Sequence, residues 1–264
     1  MSPRRFVSLR SFPGFSGVGV CLLLFLYLPL LVVVVYSFNA NSIATVWTGF
    51  SVRWFEQVFA SEPIRQALWN SLTVAAWSTA TAVVVAVLAA VGFIGMRRRS
   101  SRFALALISA PLILPEIVLA IALLSLFAWV HVPLGIPAMI LAHAVVGLPF
   151  ALLPIHSRLA GADWTQFEAA ADLGADEWRI FRRVTLPMLQ PAIVSGAMLC
   201  FIVSMDNFVM SFFTSGPGST TLPLYIWGAL RVGLTPEINA LSSLILIASI
   251  AVLVASHLLS RKKA

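Results

Sequence analysis

Charge is the scarcest commodity in this 264-residue sequence: Asp, Glu, Lys and Arg make up 10% of it, against the ~25% of an ordinary soluble domain. Apolar residues reach 60%, which excludes a soluble globular protein, a disordered chain and a collagen-like repeat. Lysine is almost missing, with Lys262 and Lys263 at the extreme C-terminus as its only copies. A phosphate-binding loop of the G-x4-G-K-[ST] type therefore cannot be built, and the chain cannot be its own nucleotide-driven motor. Cysteine is nearly absent too: Cys21 and Cys200 stand alone in apolar runs, which excludes a disulfide framework and a CxxC zinc site and leaves them as packing residues. His131, His143, His156 and His257 show no ligand spacing, so no metal is assigned.

What the sequence does have is apolar runs long enough to cross ~30 Å of hydrocarbon at ~1.5 Å per helical residue. Six are predicted, at roughly 16–38, 66–95, 103–130, 134–156, 191–213 and 238–259. Period-2 alternation is missing, so the expected fold is all-α, a polytopic membrane protein forming one transmembrane domain over 1–264. The first run follows Arg4, Arg5 and Arg10 but exceeds the ~7–15-residue core of a signal peptide, and is read as a retained span. Pro111 and Pro115 fall within the third run and Pro149 and Pro154 within the fourth, which predicts kinks, from packing or around a passage.

The net charge of +7 is a topology signal rather than a nucleic-acid footprint, so no nucleic-acid partner is expected. With six spans, fourteen of the seventeen basic residues fall on one side: Arg4, Arg5, Arg10, Arg97 to Arg99, Arg102, Arg158, Arg179, Arg182, Arg183, Arg261, Lys262 and Lys263. Only Arg53, Arg65 and Arg231 fall on the other. The positive-inside rule then predicts cytoplasmic termini and cytoplasmic loops at 96–102 and 157–190.

The loop 157–190 is polar and long for a connection between spans. Thr165-Gln-Phe-Glu168 fits a capping box, Gly174 a helix stop, and Asp176 the cap of a second short helix running through Val184 and ending before Pro187. The apolar Trp164, Phe167, Trp178 and Phe181 beside the basic Arg182 and Arg183 suggest a docking knob or an interfacial hairpin lying on lipid. Glu168-Ala169-Ala170, three residues, Gly174, nine residues and Val184-Thr185-Leu186-Pro187 resemble the EAA loop of ABC-importer permeases, with Val184 in place of the usual isoleucine. The resemblance implies a type I ABC importer permease fold whose coupling helices lie between spans 4 and 5. It also implies ATPase coupling through Glu168, Ala169, Ala170, Gly174, Arg182, Arg183, Leu186 and Pro187. The implied partners are a second homologous permease forming a heterodimer, two ATP-binding subunits that use ATP and Mg, and a periplasmic solute-binding protein. The setting is the lipid bilayer of a bacterial inner membrane, and no cofactor is expected on this chain, which is not itself an enzyme.

From 66 to 260 the resemblance narrows. Leu114-Pro-Glu-Ile-Val-Leu-Ala120, Ser204-Met-Asp-Asn-Phe208, Ser211-Phe-Phe-Thr-Ser-Gly-Pro-Gly218, Thr221-Leu-Pro-Leu224 and Val232 to Leu241 are similar to the second permease subunit of spermidine/putrescine importers. One departure stands out: the usual Asp-Asp pair of the fifth span is Asp206-Asn207 here. The resemblance implies transport of a polyamine; another small amine, an opine or a phosphonate is the alternative substrate.

Of ten acidic residues, only Glu116 and Asp206 lie deep in apolar runs, about 13 and 15 residues up their helices from the cytoplasmic side. Intramembrane carboxylates cost at least ~2.5–3.5 kcal/mol and face a cavity or a partner. Two roles stay open for Glu116: a place on the substrate path, or a cap for backbone groups freed by Pro115. The same pair of carboxylates also fits an ion-gradient-coupled transporter, and a plain membrane anchor is the third class. Trp129, Phe208, Phe212, Tyr225 and Trp227 are expected near the outer mouth, either as π faces for an ammonium group or as an interfacial belt. The expected substrate path thus comprises Asp206, Asn207, Glu116, Trp129, Tyr225 and Trp227. Ser215 to Ser219, glycine-rich, is expected to be a turn.

Overall fold

The computed structural model describes residues 15–43, 46–233 and 235–261, with side chains left out of the description at 15, 16, 249 and 251–261. The basic residues at positions 4, 5, 10, 262 and 263, and with them the placement of both termini, lie outside the described residues. The described chain is helical and carries no strand; one isolated bridge pairs Asn39 with Phe50.

Among the described residues twelve helices follow in order: α1 Phe15–Tyr36, α2 Arg53–Ala60, α3 Glu62–Gly92, α4 Arg98–Ile108, α5 Glu116–Trp129, α6 Ile136–Ala160, α7 Thr165–Asp172, α8 Glu177–Ile180, α9 Leu186–Asp206, α10 Phe208–Thr214, α11 Leu222–Val232 and α12 Pro236–Arg261. Among the described residues, four stretches are long and apolar enough to cross a membrane: Gly17–Tyr36, Glu62–Gly95, Ile136–Ala160 and Glu177–Asp206.

Two of the six expected spans are not continuous helices. The third is interrupted after Ile108 by a 3-10 turn at Ala110–Leu112 and by Pro115 in an extended conformation (φ −56°, ψ 128°), and resumes as the 14-residue α5. Pro111 and Pro115 supply no N–H to a helical ladder, so the chain turns there. The fifth is cut at Asn207 (φ −76°, ψ 96°), which separates α9 from α10. Pro149 and Pro154, by contrast, sit inside the unbroken α6.

The chain divides into two compact units, 1–61 with 228–264, and 62–227. In the first, α12 runs beside α1 and α2, and the loop between α1 and α2 is organised by Asn39. The buried Asn39 amide donates to the carbonyls of Val46 (2.7 Å) and Ile43 (3.4 Å), and its oxygen accepts from the N–H groups of Asn41 and Thr48, both at 3.2 Å.

In the second unit α3, α6 and α9 pack on one another around Ala86, Val87, Ala90, Ala151, Leu152, Ile155 and Leu189. Small residues let these backbones approach, since helix association in lipid rests on close packing rather than on water exclusion. A Cβ at Gly196 of α9 would meet the Ala151 carbonyl oxygen at 2.9 Å and Ala151 Cα at 3.0 Å, and one at Gly147 of α6 would collide with Cys200 Sγ. Cys200 is buried there, the packing role expected of it. A second cluster, Ala120, Phe127, Ala138, Ala142 and Met210, joins α5 and α10 to α6.

Candidate functional site: a two-helix loop and a polar seam in the bundle

The loop between α6 and α9 forms two short helices joined at Gly174, as its residue pattern predicts. Gly174 takes φ +79°, its N–H donates to the Ala171 carbonyl at 2.8 Å, and the Ala175 N–H donates to the Ala170 carbonyl at 3.1 Å. Those two bonds close α7 with a Schellman turn, the geometry in which a glycine carries no Cβ penalty. Asp176 caps α8, its carboxylate accepting from the Arg179 N–H at 2.8 Å.

Two local expectations are corrected. Thr165 does not cap α7, because its N–H and Oγ1 both donate to the Asp163 carboxylate, at 3.1 and 2.8 Å, and Trp164 is already helical. Nor does the second helix end before Pro187. A π-helical stretch, Phe181–Thr185, carries α8 into α9, and the Leu186 N–H reaches back to the Phe181 carbonyl. The wider turn accommodates a proline that would otherwise clash with the carbonyl four residues earlier.

No side chain of α7 or α8 is buried. Glu168, Ala169, Gly174, Arg182, Arg183, Leu186 and Pro187 are exposed and Ala170 is half-buried. The aromatic residues pair locally, Trp164 with Phe167 at 5.0 Å and Trp178 with Phe181 at 5.6 Å between ring centroids. Leu173 at the bend is 89% exposed. Among the described residues nothing covers this apolar and charged surface.

The bundle end of the second unit holds the expected substrate-path residues, in an arrangement that sequence spacing did not predict. Asn207 is buried at the break, where its side-chain oxygen caps α10 by accepting from the Met210 N–H at 2.9 Å. Its Nδ2 donates to Glu116 Oε1 at 2.7 Å, joining the start of α5 to the break 91 residues later. Glu116, the first residue of α5, thus has its carboxylate engaged with Asn207. Asp206 is exposed at the last residue of α9, and it is the neutral Asn207 that points inward. Both Asp206 and Glu116 are therefore exposed on the surface of this chain.

Of the aromatic residues, Phe208 meets Phe212 at 5.5 Å and Trp227 at 5.1 Å. Tyr225 stands two residues before Trp227 on α11. Trp129, 77% exposed at the end of α5, makes no ring contact with them. Ser215 to Ser219 forms the expected turn, in which the Gly216 N–H donates to Ser219 Oγ at 2.7 Å and Gly218 takes φ +75°. Asn70 of α3 ties this turn down by donating to the carbonyls of Gly218 (3.0 Å) and Thr220 (2.9 Å).

Sequence reading missed four residues here: Ser78, His143, Ser204 and Ser211, all buried and hydrogen-bonded to one another. Ser78 and His143 are marked in the sequence only by polarity inside apolar runs, while Ser204 and Ser211 open two of the segments that carry the family resemblance.

The family described as binding-protein-dependent transport system inner membrane component matches residues 82–261. The chain belongs to that family. The permease is 37% identical over 232 residues to the spermidine/putrescine transport system permease protein PotC of Escherichia coli, covering 88% of each chain. It is 41% identical over 222 residues to the putrescine transport system permease protein PotI of the same organism, covering 81% of this chain and 79% of that one. Among solved structures, it is similar to a chain of a bacterial ABC transporter involved in the import of the acidic polysaccharide alginate. There the TM-score is 0.72 and the identity 15%, over 98% of this chain and 99% of the other. The fold is thus that of ABC-importer permeases, and its family is one of multi-pass inner-membrane transport components.

Proposed function

We propose that the protein is the polyamine-conducting permease of an ABC importer, carrying putrescine or spermidine. The observation behind this substrate class is the pair of exposed carboxylates, Glu116 at the start of α5 and Asp206 at the end of α9. Glu116 has a neutral amide for a partner and Asp206 none among the described residues. An apolar setting with two acids and no fixed counter-charge favours a mobile cation, and the Phe208–Trp227 pair adds π faces to it. PotC and PotI, the relatives named above, support the same choice.

The chain crosses the membrane six times with both termini in the cytoplasm, pairs with a homologous permease as a heterodimer, and receives solute from a periplasmic binding protein. Two separate ATPase subunits bind ATP and Mg, which this chain does not. They seat on the exposed surface of α7 and α8, so that Glu168, Ala169, Ala170, Gly174, Arg182, Arg183, Leu186 and Pro187 move as a lever when the ATPases close. Because α8 continues helically into α9, a push on the loop travels directly to Asp206 and Asn207.

Two measurements test this. Single cysteines at 100 and 175 should react with an impermeant thiol reagent only from the cytoplasmic side, and one at 218 only from outside; external labelling of 175 refutes the topology. Reconstituted complex should take up labelled putrescine and spermidine in an ATP-dependent manner. Uptake without ATP, or ATP-dependent uptake of neutral solutes only, refutes the reading.

A further inference from the structure

Ser78 of α3, His143 of α6, Ser204 of α9 and Ser211 of α10 form one buried chain of contacts. Ser78 Oγ lies 3.1 Å from Ser204 Oγ, Ser204 Oγ 2.8 Å from His143 Nδ1, and His143 Nε2 3.1 Å from Ser211 Oγ. Ser211 Oγ then donates to the backbone carbonyl of Asn207 at 2.8 Å. Counting hydrogens orients the chain. The single hydroxyl hydrogen of Ser211 is spent on Asn207, so the Nε2 contact is an Nε2–H donating to Ser211 Oγ. In a neutral ring Nδ1 is then the acceptor, filled by the Ser204 hydroxyl, while Ser78 Oγ sits beside Ser204 Oγ and donates to the Ala75 carbonyl at 3.2 Å. From Ser204 through His143 and Ser211 the bonds run in one direction, to the carbonyl at the break.

His143 therefore touches both sides of the α9–α10 interruption: Ser204 is three residues before Asn207 and Ser211 four after it. The residue so held is also the one whose amide reaches Glu116 at 2.7 Å. We propose that His143 is a positioning residue for the solute path, clipping α9 to α10 across the break and thereby aiming the Asn207 amide at the Glu116 carboxylate. The inference rests on the reading of Glu116 as part of that path. His143 touches no solute and acts through Ser211 and the Asn207 backbone.

The variant that isolates the clip is His143→Phe, which preserves a ring in an apolar bundle and removes both nitrogens. Losing a hydrogen bond that orients a charged group weakens solute affinity by about tenfold. KM for putrescine uptake should rise by about that factor, with Vmax per assembled complex within about twofold. His143→Gln, whose amide nitrogen can still donate toward Ser211, should recover most of the KM. A purely structural role would instead lower the amount of assembled complex and leave KM alone.

A second readout needs no solute. In complex lacking Cys21 and Cys200, Glu116→Cys with Asn207→Cys leaves the Asn207 backbone carbonyl in place, and a short bifunctional thiol reagent reports how steadily the two positions face each other. Adding His143→Phe should slow that cross-link severalfold. An unchanged cross-linking rate, or an unchanged KM beside a slowed cross-link, overturns the inference at equal assembly. If the wild-type complex takes up neither putrescine nor spermidine, the polyamine reading fails by itself, and the cross-linking rate still decides whether the clip exists.

Discussion

The loop of α7 and α8 and the seam around Asn207 are opposites in construction. The loop buries no side chain of its two helices and is held by bonds between residues at most five apart, the Schellman turn at Gly174 and the Asp176 cap. The seam is buried and held by bonds between residues 61, 68, 91 and 126 apart. The lever proposed for this loop needs a shape it can keep while its surface is given to another protein, and local backbone bonds supply that. The solute path proposed at the seam needs polar groups fixed inside an apolar bundle, where each must be partnered because no water is there to replace a lost bond.

The two regions should therefore fail differently when mutated. The largest effect is expected at the helix contact that supports the seam. Gly196→Val drives side-chain atoms into the Ala151 backbone, which cannot yield as a flexible side-chain tip would, at a cost of ~1–3 kcal/mol or more. Assembled complex, measured by detergent extraction and size exclusion, should largely disappear. Full assembly of this variant would mean that α6 and α9 are not packed as described.

Next comes the loop. A Cβ at Gly174 meets nothing within 4 Å, so the harm of Gly174→Val comes wholly from φ +79°, about 1–2 kcal/mol for a residue with a Cβ. Assembly should survive while uptake and solute-stimulated ATP hydrolysis fall steeply. Gly174→Asn, which tolerates the left-handed region, should keep most activity. Equal loss in both variants would indicate that crowding by a partner, and not backbone geometry, governs the bend.

Smaller effects follow at the carboxylates. Asp206→Asn and Glu116→Gln are expected to slow putrescine uptake by about tenfold each, since each removes a charge exposed at the head of the seam. Glu116→Gln should match Asp206→Asn in size, because its carboxylate is held by Asn207. A harmless Glu116→Gln at normal assembly would demote that residue to packing.

The smallest change sharpens the comparison most. Asn207→Asp places a second carboxylate 2.7 Å from Glu116, where two negative charges require a proton or a cation between them. The spermidine-to-putrescine uptake ratio should rise a few-fold, with little change in putrescine uptake itself. An unaltered ratio would show that the contact lies off the solute path.

Much of this molecule was legible before folding was considered. Scarce charge and long apolar runs define a membrane protein, and the Glu168 to Pro187 spacing defines the loop. Gly174 and Asp176 announce the turn and the cap, because handedness and capping depend on a few adjacent residues. Local reading faltered where two short-range preferences competed. Thr165 lost the capping position to Asp163, and Pro187 was absorbed by a π turn instead of ending the helix. Neither outcome follows from the preference of one residue alone.

Only the tertiary structure decided which polar residue faces inward at the fifth span. Asp206 and Asn207 are neighbours, and nothing in their order says that the acid is exposed and the amide buried. The rotation of α9 is set by close packing of Gly196 on Ala151 and of Cys200 against Gly147, and the break at Asn207 then turns α10 toward α6. His143 finds Ser204 and Ser211 because three helices were brought to one register. Composition and local pattern reach as far as a helix and its ends; the pairing of side chains across helices depends on rotation and depth, which are properties of packing.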